Sequence, residues 1–182
     1  MATLDDLLEL YRGEKANAMY DEVVTEREHA LQAAGLAEAA GADDATVAAA
    51  LLHDVGRLMI DWDTPEGEFV AADRAHDRVG ERYLQQLFGP EVTAPVGMHV
   101  AAKRYLCATD PDYLAVLSPV SIRSLEVQGG PMSTEEVAAF EQRPGWQAGV
   151  QLRRWDDQAK LVDTRTKAVD DYLPLLRSLA TS

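Results

Sequence analysis

Val47-Ala48-Ala49-Ala50-Leu51-Leu52 runs straight into His53-Asp54 and then Val55-Gly56. The apolar run reads as a buried helix with an imidazole and a carboxylate side by side at its end. Burying a carboxylate without a partner costs several kcal/mol, so a bound metal is the simplest account of the pair. Imidazole and carboxylate form the ligand set of hard to borderline divalent metals. Adjacent ligands such as His53 and Asp54 converge either on one metal or, with Asp54 bridging, on two.

Working outward, the other histidines of the chain are His29, His76 and His99, and an acidic pair, Asp156-Asp157, lies far downstream. Taken singly, a histidine on a helix is more often a core or surface residue than a ligand. As a set with His53-Asp54 they read as a metal centre. His29 lies in Glu28-His29-Ala30-Leu31-Gln32, with Thr25, Glu26, Gln32 and Ala33 on its helical face. Neighbouring helical residues point about 100° apart, so one of Asp156 and Asp157 is the better ligand. Asp156 is preferred, since Arg153, Asp156 and Lys160 share a helical face. Asp157 is the alternative.

The pattern predicts an all-α chain of about eight helices in a single domain spanning residues 1–182. Apolar positions recur at helical spacing at Leu4, Leu7, Leu8 and Tyr11, at Val23, Val24, Ala30, Leu31 and Ala34, and through Val47 to Leu52. Gly41 closes one helix and Asp43 or Asp44 opens the next. Ser118 precedes Pro119, and Ser133-Thr134-Glu135-Glu136 forms a capping box. Loops are expected over 61–73, either a lid carrying Trp62 or a plain connection, and at Gln128-Gly129-Gly130-Pro131-Met132. Leu161 to Ala180 reads as a last amphipathic helix with a kink or break at Pro174, used for packing or for a dimer contact.

Seventeen basic against 31 acidic residues give a net charge of -14, which opposes non-specific binding to nucleic acid or to an anionic membrane. The single cysteine, Cys107, fits a buried structural role in a reducing compartment. With neither a signal-peptide pattern at Met1-Ala-Thr-Leu-Asp-Asp nor a membrane-length apolar run, a cytoplasmic protein is expected.

Any anion must therefore be caught locally. Lys103 lies four residues after His99, on the same face, and Arg153 three residues before Asp156. Two cations aimed at a metal cluster suit an anion such as phosphate or phosphonate. Ser118, Ser121, Ser124 and Gln128 recur near helical spacing as possible donors, and Gly129-Gly130 could add backbone donors.

These residues, with the segments His99-Val100-Ala101-Ala102-Lys103-Arg104-Tyr105-Leu106, Leu117-Ser118-Pro119-Val120-Ser121, Leu125 to Met132 and Leu152-Arg153-Arg154-Trp155-Asp156-Asp157-Gln158-Ala159-Lys160, resemble the HD-domain mixed-valent diiron oxygenases of phosphonate catabolism. The likeness runs from about Tyr20 to Lys160, and inositol oxygenase is a more distant cousin. It implies an HD-type helical bundle whose metal-binding core spans about 20–160. His29, His53, Asp54 and Asp156 would hold one iron, while His76, His99 and a bridging Asp54 would hold the other, as an Fe(II)/Fe(III) pair. With molecular oxygen as co-substrate, a 1-hydroxyalkylphosphonate is split into a carboxylic acid and inorganic phosphate.

His53 and Asp54 then carry catalysis, and Lys103, Ser121, Gln128 and Arg153 hold the organophosphonate. Tyr20 and Glu22 stand where these relatives place a tyrosine and a glutamate near the substrate's distal group. Three residues after the His-Asp pair the relatives carry histidine, and inositol oxygenase lysine, where this chain has Arg57. A fixed positive charge there argues against a substrate with a cationic amino group and for a smaller, uncharged or acidic one.

The rival reading is an HD-domain phosphohydrolase acting on a nucleotide or small phosphoester through metal-activated water. Against it stand a compact cation set and only three phenylalanines to stack a base. A metal-dependent binding module is a third reading. Nitrogen and oxygen ligands also suit manganese, cobalt, nickel and zinc.

Overall fold

The computed structural model describes residues 2–20, 23–60, 75–115 and 117–181. The expected lid at 61–73 and the candidate Glu22 lie outside them. The described residues form helices α1 (Leu4–Arg12), α2 (Glu26–Ala39), α3 (Asp44–Leu52), α4 (Val55–Met59), α5 (His76–Leu84), α6 (Pro90–Val96), α7 (His99–Thr109), α8 (Pro111–Ala115), α9 (Pro119–Val127), α10 (Thr134–Phe140), α11 (Trp146–Gln158) and α12 (Leu173–Leu179). Short 3-10 turns occur at Glu14–Asn17 and Val169–Tyr172. Among the described residues β pairing is limited to isolated bridges, Met19 with Thr25 and Phe88 with Ala180.

The centre of the fold is α3. Val47 through Leu52 are all buried, and α2, α6, α11 and α12 pack around them. Small residues make that crowding possible: Ala48, Ala49 and Ala50 on α3 and Ala30, Ala33, Ala34 and Ala37 on α2 belong to the same core, letting backbones approach without voids. The predicted caps are present. Asp43 accepts from the Thr46 N–H, Ser118 from the Ser121 N–H, and Ser133 forms a capping box with Glu136.

Among the described residues twelve helical segments replace the expected eight or so. Apolar periodicity runs on through a break of one or two residues, so it does not register short unwindings such as His53-Asp54 between α3 and α4, or Gly97-Met98 between α6 and α7. Two further expectations are corrected. Val23 is exposed and precedes α2, because Thr25 and Glu28 form a capping box that starts the helix at Glu26. No helix spans Leu161 to Ala168. Gln32 on α2 bonds both the N–H and the carbonyl of Leu161 at 2.9 Å, holding that stretch outside a helix. Pro174 then sits in the first turn of α12, where its missing N–H costs nothing, and starts the helix instead of kinking it.

The α4–α5 contact requires glycine. A Cβ on Gly56 would lie 2.0 Å from the His76 carbonyl oxygen and 2.9 Å from the Gly80 nitrogen, all backbone. Gly56→Ala is therefore expected to cost about 3 kcal/mol, lowering the melting temperature by roughly 6–10 °C. It should also weaken metal retention, since the displaced backbone carries His76. Thermal denaturation with metal analysis checks both.

Candidate metal centre

Adjacent residues of one helix diverge, so His53 and Asp54 can meet only if the helix stops. Asp54 has left α-helical geometry, at φ -101°, ψ 15°, between α3 and α4. The break turns the His53 ring and the Asp54 carboxylate to one side. His53 Nε2 lies 3.3 Å from Asp54 Oδ2.

His29 on α2 brings Nε2 to 3.1 Å from His53 Nε2, 3.7 Å from Asp54 Oδ2 and 3.3 Å from Asp156 Oδ1 on α11. The other oxygen of Asp54 serves a second group. His76 Nε2 and His99 Nε2 lie 3.3 and 3.4 Å from Asp54 Oδ1, and 3.0 Å from each other. His29, His53 and Asp54 form one cluster able to hold a metal ion, and Asp54, His76 and His99 a second. Asp54 belongs to both.

Three of the imidazoles are oriented by the same device. The last carbonyls of a helix lack an intrahelical partner. His53 Nδ1–H donates to the Ala50 carbonyl near the end of α3 at 2.8 Å, and His99 Nδ1–H to the Val96 carbonyl at the end of α6 at 2.7 Å. His29 Nδ1–H donates to the Ala159 carbonyl just past α11 at 2.9 Å. A carbonyl only accepts, so each Nδ1 carries a proton and each Nε2 presents its lone pair to the centre. Lone pairs of His29 and His53 face each other at 3.1 Å beside two carboxylates, an arrangement that calls for a cation between them. Charge balance agrees. Burial opposes a positive His53, yet the Asp54 and Asp156 carboxylates outweigh it and push its pKa up to about 9. Burial would also raise the Asp54 pKa, but His53, His76 and His99 hold it well below the usual carboxylate range. Asp156 is held low in the same way by Arg153, His29 and His53. The donor set fits metal ions.

Of the other candidates, Tyr20, Arg57 and Arg153 contact residues of this core, while Lys103 lies on α7 and Ser121 and Gln128 on or at the end of α9. Tyr20 stacks on His29, with ring centroids 3.7 Å apart, and donates its hydroxyl to Asp156 Oδ1 at 3.2 Å. Lys160 follows the end of α11 and does not share its face; its ammonium lies over the Tyr20 ring. Lys103 on α7 and Arg153 on α11 are both buried, and the two helices pack together. Lys103 Nζ donates to Ser124 Oγ at 2.6 Å. Ser121 is buried and accepts from Ser118 at 3.1 Å. Gln128 is half-buried at the end of α9. Cys107, one turn past Lys103, is half-buried, and burial raises its thiol pKa against the pull of Lys103 and Arg153.

Other candidates read differently in the structure. The Gly129 and Gly130 N–H groups close the turn after α9 on the Glu126 and Leu125 carbonyls, so they are not spare donors. Asp157 points away from the histidines and pairs with Arg153 and Tyr113. Arg57 is not a bare charge. It grips Glu26 with Nε at 2.9 and 3.1 Å and Nη2 at 2.7 Å, with Asp54 Oδ2 4.0 Å away. Sequence reasoning placed Glu26 on the face of His29 but missed this pairing. The pair is neutral, so the electrostatic case for an acidic substrate falls away and its bulk remains.

The HD-domain family model matches residues 27–111, which include His29, His53, Asp54, His76 and His99. A hydroxymethylphosphonate dioxygenase of Gimesia maris is 46% identical over 155 residues, 85% of this chain and 77% of that protein. The chain belongs to the HD-domain phosphonate dioxygenases. Another member of this family, a glycine-betaine-forming dioxygenase of 1-hydroxy-2-(trimethylamino)ethylphosphonate from Leisingera caerulea, is 40% identical over 163 residues, 87% of this chain and 80% of that protein. An uncharacterised protein of Acanthamoeba polyphaga mimivirus is 34% identical over 175 residues, 95% and 80% of the two chains. No helix among the described residues is long and apolar enough to cross a membrane.

Proposed function

We propose that this protein is a diiron oxygenase that cleaves the carbon–phosphorus bond of a small 1-hydroxyalkylphosphonate, with hydroxymethylphosphonate the first substrate to test. The observation that carries the reading is the Asp54 carboxylate shared between two histidine groups, Oδ2 toward His29 and His53 and Oδ1 toward His76 and His99. His29, His53, Asp54 and Asp156 would hold one iron, and His76, His99 and Asp54 the other. Bound iron supplies the electron transfer that lets molecular oxygen react with an organic substrate.

The reaction balances as hydroxymethylphosphonic acid plus O2 giving formic acid plus phosphoric acid. The C–P bond and one C–H bond break, the carbon gains a second bond pair to oxygen as a C=O group, a P–O bond forms and the hydrogen passes to oxygen, so carbon rises from the alcohol to the carboxylic acid level while O2 is reduced. The chain's own residues hold the substrate. Buried Lys103 and Arg153 supply positive charge for the phosphonate oxygens, and Ser121, with its own hydroxyl proton, adds a neutral donor. Gln128 caps the opposite, C-terminal end of α9. Tyr20 shields His29 and Asp156 from water by lying flat on the ring. The neutral Glu26–Arg57 pair takes up space beside Asp54, which supports a compact substituent on the reacting carbon.

Iron-loaded protein is expected to release phosphate from hydroxymethylphosphonate in step with oxygen uptake, about one to one. Phosphate release without oxygen would favour hydrolysis. Lys103→Ala is expected to raise KM for the phosphonate about 30-fold or more while iron content holds; steady-state kinetics with metal analysis checks this.

A further inference from the structure

Asp157 and Tyr113 lie outside the donor groups at the centre, yet both close on Arg153. Arg153 is 5% exposed and sits between two carboxylates of its own helix. Its Nη1 meets Asp156 Oδ2 at 2.6 Å. Its Nε donates to Asp157 Oδ2 at 3.1 Å, and Nη2 pairs with Asp157 Oδ1. Tyr113, buried on α8, donates its hydroxyl to Asp157 Oδ2 and accepts from Arg153 Nε at 3.2 Å.

A guanidinium carries one N–H on Nε and two on each terminal nitrogen. Asp157 takes Nε and one hydrogen of Nη2 in the bidentate manner that fixes the plane of an arginine. Asp156 Oδ2 forms an ion pair with Nη1. At least one N–H on each terminal nitrogen makes no hydrogen bond among the described residues, and Nη1 lies against Asp156 Oδ2, a neighbour of the centre. We propose that Asp157, braced by Tyr113, is a positioning residue: it holds the inner edge of Arg153 so that the outer end presents its remaining N–H groups to a substrate oxyanion beside Asp156.

The geometry explains two further features. Without Asp157, the Nε edge of Arg153 would be buried without its carboxylate, and the guanidinium would rotate onto Asp156, whose oxygens face His29 and His53. Asp157 thus keeps Arg153 to one contact with Asp156. It also accounts for the acidic doublet, whose members lie about 100° apart on the helix: Asp156 serves the centre and Asp157 serves Arg153.

The inference rests on the phosphonate reading, and its test separates the two. The iron-loaded protein is assayed with hydroxymethylphosphonate, and inorganic phosphate binding is measured by calorimetry. Asp157→Ala is expected to raise both KM and the phosphate Kd about tenfold, with kcat falling less than about threefold. Tyr113→Phe should raise both about threefold. In an Arg153→Lys background, which lacks the forked edge, Asp157→Ala should change neither by more than about twofold, since both residues act through one group. Should Asp157→Ala fail to fold, Asp157→Asn replaces it, with a rise of about threefold or more. A phosphate Kd unmoved by the Asp157 substitution, or an effect of equal size in the Arg153→Lys background, overturns the assignment. Wild-type protein that binds phosphate but does not turn over the phosphonate refutes the proposed reaction instead, and the calorimetric comparison still judges Asp157.

Discussion

Asp54→Ala is expected to abolish oxygen-dependent turnover and to empty both metal positions together. Its two oxygens face different histidine pairs, so one substitution removes a ligand from each group and the negative charge that balances both ions. The expected metal content after anaerobic iron loading falls from about two per chain to near zero. His76→Ala touches only the second group and should retain about one ion. Comparison of the two variants by metal analysis separates a shared carboxylate from two independent sites, because independent sites would leave Asp54→Ala with one metal.

The second large effect concerns the Glu26–Arg57 pair. Glu26→Ala is expected to cost about 3 kcal/mol, because it leaves the half-buried Arg57 guanidinium without its bidentate carboxylate. A melting temperature roughly 10 °C lower is the readout. The guanidinium, already 4.0 Å from Asp54 Oδ2, would be drawn toward that carboxylate and compete with the metal for it. Glu26→Ala combined with Arg57→Ala removes both charges and should recover most of the stability, since no isolated charge remains. It also vacates the volume beside Asp54. The double variant is therefore expected to gain on 1-hydroxy-2-(trimethylamino)ethylphosphonate relative to hydroxymethylphosphonate, read as the ratio of kcat/KM values. An unchanged ratio would place the pair outside the substrate's reach.

What was legible in the sequence follows from how each feature is encoded. The all-α class and the central helix were legible because Val47 to Leu52 leaves no polar residue in the run. Histidines and a carboxylate are chemically distinctive, so the residues that gather at the centre could be nominated from type and spacing. Backbone partners leave no such mark. The Ala50, Val96 and Ala159 carbonyls that aim three imidazoles belong to apolar residues, and only the helix ends expose them. Long-range ion pairs were equally silent: Arg57 looked like an uncompensated charge because Glu26, 31 positions away, comes beside it only through packing of α2 against the end of α3. The helix count failed for a related reason, since the break at His53-Asp54 that lets neighbours converge leaves the apolar pattern intact.

The proposed chemistry needs a pair of metal ions bridged by one carboxylate. The most direct measurement is anomalous diffraction at the iron edge from crystals of protein loaded with iron under anaerobic conditions. Two iron peaks are predicted, one ringed by His29, His53 and Asp156 and the other by His76 and His99, each about 2.0–2.2 Å from a different oxygen of Asp54. A single peak, or two peaks that do not share Asp54, would contradict it.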